Sequence, residues 1–176
     1  NLAQAVTASP VPRVSGLREA ASEIVTLAPA GATTVFSGYR DGSFIFNLRS
    51  LDAKRQHRVI RADKLLLELS VRRGLGVREL DVSRDAMLSM FADYWVDYLV
   101  IDPDFWVDLA VMRRFSEFVA DGPFERIRTI DIQANTPGIE KQYVVYRYVG
   151  PRSAERKPLS VKLKMIDSQF DETQGR

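Results

Sequence analysis

The sequence predicts an α/β fold of three layers, in which a mostly parallel sheet carries helices on both faces and an antiparallel C-terminal hairpin lies at one edge. Segments with helical spacing alternate with short apolar runs along residues 15–150. The run 97–102 has a continuous apolar middle, which suits a strand that is buried on both faces. Hydrophobic residues make up 45% of the 176 residues and charged residues 27%, a mixture that excludes a wholly disordered chain.

The first half of the fold follows from capping residues, breakers and spacing. Ser15 is predicted to cap a helix that ends at Pro29 and Gly31, and 33–37 is predicted as a strand. A second helix opens at 41–42, although 44–46 also suits a buried strand. The run 58–61 is predicted as a strand. The apolar run 65–69 fits either a helix or a strand, and Gly74 and Gly76 after it are predicted to terminate the element. We expect the strands up to residue 102 to form the parallel part of the sheet.

The second half begins with a helix capped by Ser83, which precedes the strand at 97–102. Pro103 and Asp104 are predicted to start the next helix, which runs to about Ala120. The strands 124–133 and 142–149 should form an antiparallel hairpin. Their long connection contains Asn135, Pro137 and Gly138.

The sequence divides into three parts. Residues 1–14 contain Pro10 and Pro12 and are predicted to be an extended linker, residues 15–150 the α/β domain, and residues 151–176 an edge strand and a polar tail. In 159–165 apolar residues alternate with serine and lysine, which predicts an edge strand with its lysines in water.

Composition excludes several kinds of site. Cysteine is absent, which excludes disulfides and thiolate metal sites, and a single histidine excludes a multi-histidine metal site. No apolar run approaches about 18 residues, so we expect no membrane span in this chain. The 25 basic and 23 acidic residues give a net charge of +2, which says little about partners.

The segment 37–43 is the first candidate for ligand binding, because it follows a strand and precedes a helix. Gly38 and Gly42 permit close backbone approach, Ser43 and the helix N-terminus can donate to an anion, and Arg40 adds positive charge beside Asp41. The segment matches neither the dinucleotide-binding nor the P-loop fingerprint. The alternative is a tight turn followed by an aspartate cap.

Asp102 is the second candidate, at the end of the best strand. With Asp104 it flanks Pro103, where carboxylates can act as acid, base or metal ligand, or simply cap the following helix. His57 lies among basic residues, and we expect it in solvent at a loop or strand edge rather than as a general base. We therefore predict no catalytic residue, no metal ligand and no cofactor.

Charge and aromatic residues are unevenly distributed. Residues 49–73 hold eight basic and three acidic residues, and residues 79–108 hold one basic and eight acidic residues. The basic segment suits lipid headgroups or a phosphate-bearing substrate. Alternatively, the two segments neutralise each other across the fold or are simply solvated faces. Nucleic acid is not expected, because no recognition motif accompanies the charge. Six aromatic residues can line a sugar or apolar pocket or belong to the core: Phe91, Tyr94, Trp95, Tyr98, Phe105 and Trp106.

The order of these runs resembles a known family. The runs that carry the resemblance are 29–31, 33–37, 38–46, 59–64, 98–101 and 143–148. Together they resemble the soluble C-terminal domain of bacterial polytopic membrane glycosyltransferases of the dolichyl-phosphate-mannose–protein mannosyltransferase-like (GT-C) type. The resemblance covers roughly residues 15–150.

This resemblance implies a non-catalytic accessory domain on the extracytoplasmic (periplasmic) face of the inner membrane. In such enzymes the membrane-embedded part handles the lipid-linked sugar, and the catalytic aspartate lies in an early extracytoplasmic loop that no residue here matches. The implied partners are the membrane-embedded part of the same polypeptide and a sugar or lipid-linked sugar phosphate. Two alternatives remain: a free-standing α/β protein that binds a small molecule or nucleotide through 38–43, and a protein-interaction module. The alternative location is the cytoplasm.

Overall fold

The computed structural model of the protein describes residues 14–69, 76–135, 141–163 and 168–171. The described helices are α1 (Leu17–Leu27), α2 (Asp41–Leu51), α3 (Ala62–Leu66), α4 (Arg84–Asp93) and α5 (Ala110–Asp121). The described strands are β1 (Thr33–Ser37), β2 (Arg58–Arg61), β3 (Leu67–Leu69), β4 (Val77–Glu79), β5 (Val96–Ile101), β6 (Phe124–Asp131), β7 (Gln142–Tyr148), β8 (Ser160–Leu163) and β9 (Ser168–Asp171).

A five-stranded mixed sheet in the order β2-β1-β5-β7-β6 forms the centre of the molecule. Strands β2, β1 and β5 are parallel, and β7 and β6 continue the sheet as an antiparallel hairpin. The α/β class and the antiparallel C-terminal hairpin are therefore confirmed. One expectation about the parallel part is wrong, because β3 leaves the sheet and pairs antiparallel with β4.

Helices cover both faces of this sheet, as predicted. Alternate residues of a strand point to opposite faces. Phe36, Val100 and Val145 pack in one apolar cluster with α1 and α2. Their neighbours Val35, Leu99 and Val144 pack in a second cluster with α3, α4 and α5. The result is the expected three-layer arrangement.

The ambiguous run 65–69 divides between two elements. Helix α3 ends at Leu66, and the next three residues form β3. A five-residue helix is too short to show a helical repeat in the sequence, which explains why the pattern did not distinguish a helix from a strand. Gly76 has a φ of 134°, whereas Gly74 lies outside the described residues.

The cap of α1 also differs from the prediction. Gly16, with a φ of 94°, occupies the N-cap position, and its N–H donates to Oε2 of Glu19 at 2.9 Å. The Ser15 hydroxyl instead lies 3.4 Å from the carbonyl oxygen of Gln133. Ser15 thus ties the start of α1 to the chain after β6 rather than capping the helix.

The C-terminal segment forms its own small sheet. The predicted edge strand exists as β8, but it pairs with β9 and not with the five-stranded sheet. Residues 168–171, expected to belong to a loose tail, form β9. The linker residues 1–13, Pro137, Gly138, residues 164–167 and the end of the tail from 172 lie outside the described residues.

Candidate functional site

The parallel strands reverse their order at β1, which lies between β2 and β5. From β1 the chain passes through α2 to β2 on one side, and it later reaches β5 on the other side. Such a reversal opens a crevice outside the carboxyl ends of the two central strands, where α/β proteins bind ligands. The crevice here lies beyond the ends of β1 and β5, which is where the predicted site residues are.

Asp102 and Ser37 meet at this crevice. Ser37 is paired with Ile101, and the N–H of Asp102 donates to the carbonyl oxygen of Ser37 at 2.8 Å. Both side chains are buried, each with 1% of its surface exposed. The fold therefore places Asp102 beside the start of the predicted 38–43 segment.

Asp102 caps a turn and not a helix. Its Oδ1 accepts the N–H of Asp104 at 3.0 Å, and the N–H of Phe105 donates to its carbonyl oxygen at 3.1 Å. Trp106 then adopts a φ of 51°, which is incompatible with an α-helix. The predicted helix start at Pro103 is wrong for this reason, and α5 begins only at Ala110.

Aromatic rings connect the two loops at the crevice. Tyr39, from the loop after β1, lies edge-on to Phe105 with centroids 4.8 Å apart. Phe105 stacks on Trp106 at 4.5 Å. Phe105 is buried, while Tyr39 and Trp106 are half-buried. Of the other aromatic candidates, Phe91 is a core residue. Phe105 and Trp106 are thus the members of the predicted aromatic group that contact Tyr39 of the loop after β1.

The two glycines of the segment have different surroundings. A Cβ on Gly38 would lie 2.8 Å from the ring of Tyr143 and 3.1 Å from that of Phe36. A Cβ on Gly42 would meet no atom within 4 Å. Gly38 therefore makes room for core rings, whereas Gly42 faces open space.

Arg40, Gly42 and Ser43 line a cleft of about 390 Å³ at the start of α2. The first helical bond runs from the N–H of Phe44 to the carbonyl oxygen of Arg40 at 2.9 Å, so the preceding amides of α2 have no partner within the helix. Val14, Leu17, Phe46 and Asn47 complete the lining. Gly38, Asp41 and Asp102 are not in this lining, so three of the six predicted site residues line the cleft.

Asp41 is instead paired with an arginine that the sequence did not single out. Nη1 of Arg61, at the end of β2, lies 2.7 Å from Oδ2 of Asp41. The same guanidinium binds the buried Asp63 through Nε at 3.0 Å and Nη2 at 2.7 Å. Burial lowers the pKa of Arg61, but the hydrogen bonds and charges of Asp63 and Asp41 outweigh it and raise that pKa above its ordinary value. No local pattern links residues 20 positions apart, so sequence reasoning missed this pair.

His57 is buried, contrary to the expectation of a solvated histidine. It is 6% exposed, with Nδ1 3.0 Å from Oδ2 of Asp52 and Nε2 3.2 Å from the carbonyl oxygen of Ala28. Burial raises the pKa of Asp52, but hydrogen bonds from the backbone and ring of His57 hold it below its usual value. Because His57 immediately precedes β2, this pair lies near the amino ends of the parallel strands, whereas the crevice lies at their carboxyl ends.

Two carboxylates of the acidic segment have basic partners outside the basic segment. Asp93 pairs with Lys157 and Asp97 with Arg152, both of which follow β7. Within residues 49–73, Arg61 pairs with Asp63. None of these three ion pairs joins a residue of the basic segment 49–73 to a residue of the acidic segment 79–108.

Comparison with known proteins finds no family model, no curated protein and no solved structure that matches the chain. Among residues 14–69, 76–135, 141–163 and 168–171, no three histidine, cysteine, aspartate or glutamate residues are grouped so as to hold a metal ion. No helix in the same described part of the chain has the length and apolar character needed to cross a bilayer.

Proposed function

We propose that this chain is the extramembrane accessory domain of a membrane-embedded glycosyltransferase of the type that it resembles. In this proposal the domain lies on the extracytoplasmic face, is not itself catalytic, and positions a sugar substrate or lipid-linked sugar phosphate for the membrane part of the same polypeptide. The resembling runs supply β1, β2, β5, β7 and the loop that starts α2. The run 38–46 contributes Arg40, Gly42, Ser43 and Phe46 to the cleft at the start of α2.

The observation that carries the proposal is the mixed character of the cleft at the start of α2. Arg40 and the first amides of α2 suit a phosphate group. Phe46, with 73% of its surface exposed, lies in the same lining as Val14 and Leu17. A lipid-linked sugar phosphate presents a phosphate next to an apolar chain, and this cleft offers a partner for each.

The experiment compares variants of the intact parent enzyme in proteoliposomes. Arg40→Ala and Phe46→Ala should each raise the KM for the lipid-linked donor several-fold while kcat changes little, because they weaken binding and not the chemical step. Arg147→Ala, which removes an exposed ion pair with Glu125 on the hairpin, is the matched control. An unchanged donor KM in both cleft variants would contradict the proposal.

A second candidate function is that of a free-standing α/β protein that binds a small phosphorylated molecule. The reversal of strand order at β1 favours it, because nucleotides bind at such points in other α/β proteins. Calorimetry of the isolated chain against nucleotides and sugar phosphates tests it. A heat of binding that is measured with the unmodified chain and lost in the Gly42→Val variant would support this candidate. The open space at Gly42 lets the fold tolerate the valine. No heat from any of these ligands would exclude it.

A further inference from the structure

The solvent-facing side of α2 differs from that of an ordinary surface helix. Its exposed residues recur at intervals of three and four positions, so they form one stripe along the helix, the α2 stripe: Gly42, Ser43, Phe46, Arg49 and Ser50. Phe46 lies in the middle of the α2 stripe with 73% of its surface exposed. The stripe thus combines a large apolar side chain with an arginine and contains no carboxylate.

The loop that follows α2 adds positive charge at the C-terminal end of the α2 stripe. All of residues 53–56 are exposed, and they include Lys54 and Arg55. Among the described residues, neither of these two side chains has a carboxylate partner. Arg49 lies in the last turn of α2, and its Nη1 donates to the carbonyl oxygen of His57 at 2.9 Å, which adds no negative charge. Three cations therefore lie at this end of the helix.

Backbone hydrogen bonds hold this loop in place. The N–H of Arg55 donates to the carbonyl oxygen of Asp52 at 2.9 Å, and the carbonyl oxygen of Gln56 accepts the N–H of Gly31 at 3.1 Å. Oδ2 of Asp52 accepts the N–H of His57 at 2.7 Å, and this carboxylate is buried. The acidic residue of the loop is therefore turned inward, while the two cationic side chains extend into water.

The carboxylates beside the α2 stripe are already engaged. On the neighbouring helix α1, Oε2 of Glu19 accepts the backbone N–H of the helix N-cap at 2.9 Å. Oε2 of Glu23 lies 2.7 Å from Nη1 of Arg128. In the first turn of α2, Asp41 is paired with Arg61. These interactions offset the negative charge around the stripe, so the cations of the stripe and of the loop give this surface an excess of positive charge.

We propose that the α2 stripe and the loop 53–56 rest on the surface of an anionic lipid bilayer. In this arrangement Phe46 enters the headgroup region, and Arg49, Lys54 and Arg55 contact lipid phosphates. An aromatic side chain beside arginine and lysine is typical of helices that lie in the plane of the bilayer surface. The charges are complementary, because negative lipids attract cationic side chains that come within a Debye length of the surface.

This inference rests on the proposed function, because it places the extramembrane domain relative to the membrane. Phe46 lines the cleft at the start of α2 together with Arg40. Contact of the α2 stripe with the bilayer would therefore bring this cleft next to a lipid-linked donor. Three cations and one aromatic ring give the isolated chain weak binding, half-complete at about 1 mM lipid. In the parent enzyme the membrane part keeps the domain at the bilayer, so weak contact is sufficient.

The test measures cosedimentation of the 176-residue chain with vesicles of phosphatidylcholine, either alone or mixed with phosphatidylglycerol. We expect binding to the mixed vesicles and much weaker binding to phosphatidylcholine alone. Lys54→Glu combined with Arg55→Glu should weaken binding by about tenfold or more, because two attractive charges become repulsive. Phe46→Ala should weaken it several-fold, because less apolar surface enters the headgroup region. Raised salt should weaken it as well.

Each variant has a matched control. Arg113→Glu combined with Arg114→Glu makes the same change of charge at two adjacent exposed positions of α5, which packs on the opposite face of the sheet. Val149→Ala shortens another exposed apolar side chain, just after β7. Both controls should bind the mixed vesicles as the unmodified chain does. All of these side chains are exposed, so the variants should keep the fold.

Two results would overturn the proposal at once: no binding to either kind of vesicle, and equal binding to both. An equal loss of binding in the α5 control would also overturn it, because binding would then follow the net charge of the chain and not this surface. The vesicles contain no lipid-linked sugar. These outcomes are therefore independent of the donor KM that Arg40→Ala tests for the proposed function.

Discussion

Nδ1 of His57 lies 3.0 Å from the carboxylate oxygen Oδ2 of Asp52, and both side chains are buried. The same oxygen accepts the backbone N–H of His57 at 2.7 Å. Nε2 of the ring lies 3.2 Å from the carbonyl oxygen of Ala28, just after α1. This pair therefore connects the end of α2 with the loop between α1 and β1, and its role is structural.

The first prediction concerns stability and pH at Asp52. Asp52→Asn should lower the free energy of unfolding at neutral pH by about 1–3 kcal/mol, because the charged acceptor of a buried hydrogen-bond network is lost. The folded pKa of Asp52 is lowered, so its contribution is present above the unfolded pKa of about 3.9 and is lost as the pH falls through the folded value. Denaturant unfolding measured at neutral pH and near pH 3 tests the sign. A difference in the free energy of unfolding between the unmodified protein and Asp52→Asn that is the same at both pH values would contradict this account.

The second prediction compares the two glycines of 38–43. Gly38→Ala should destabilise the protein by about 1–3 kcal/mol, because the new methyl group overlaps the rings of Tyr143 and Phe36. Gly42→Ala should be neutral or stabilising by up to about 1 kcal/mol, because it lies in the first turn of α2 with open space around it. Thermal and denaturant unfolding of the two variants provide the measurement. Equal stability of both variants would show that Gly38 is not required by packing.

The third prediction concerns Arg61. Arg61→Ala should cost about 3–5 kcal/mol, because it leaves the buried carboxylate of Asp63 without its guanidinium partner. Arg147→Ala removes an exposed pair with Glu125 and should cost far less, because water screens the attraction between these two charges. Asp63→Asn in the Arg61→Ala background should recover part of the loss, since it removes the unpaired charge. A cost for Arg61→Ala no larger than that of Arg147→Ala would refute the pairing.

The fourth prediction concerns the turn at Asp102. Asp102→Ala should lower stability by about 1–2 kcal/mol, because the N–H of Asp104 loses its acceptor. Asp102→Asn keeps an oxygen at that position and should cost less, as asparagine and aspartate serve such turns alike. Denaturant unfolding curves of the two variants and the unmodified protein measure these losses of stability. A larger loss in the asparagine variant would mean that the charge of Asp102 matters more than the turn.

The fold was predictable wherever a residue pattern reports directly on burial. The continuous apolar middle of β5 identifies a buried strand, and the structure buries Leu99 completely. Ser83 was predictable as a cap, since its hydroxyl accepts the N–H of Ala86 at 3.2 Å. Each of these features is determined by residues that are close together in the chain, so it can be predicted from the sequence.

The errors arise where distant contacts decide the conformation. Pro103 and Asp104 look like a helix start, yet Asp102 takes the turn N–H and Trp106 adopts a positive φ. His57 looks solvated among basic neighbours, yet Asp52 and Ala28 enclose it. Local charge gives no indication of either outcome.

Ligand binding by 38–43 and Asp102 stays a prediction, but the places of these residues after β1 and β5 were predictable from the sequence. The reversal of strand order explains why Asp102 meets the end of β1. The pairing of Asp41 with Arg61 depends on the parallel pairing of β1 with β2, which the sequence does not specify.

The most direct test of the central claim is the behaviour of the native polypeptide that carries these residues. Antibodies raised against the 176-residue chain would detect it in carbonate-washed membranes of the source cell, and mass spectrometry would give its length. We predict a protein much longer than 176 residues that is released by detergent and not by carbonate. A native protein of about this length that is recovered without detergent would contradict the assignment to a membrane-embedded glycosyltransferase.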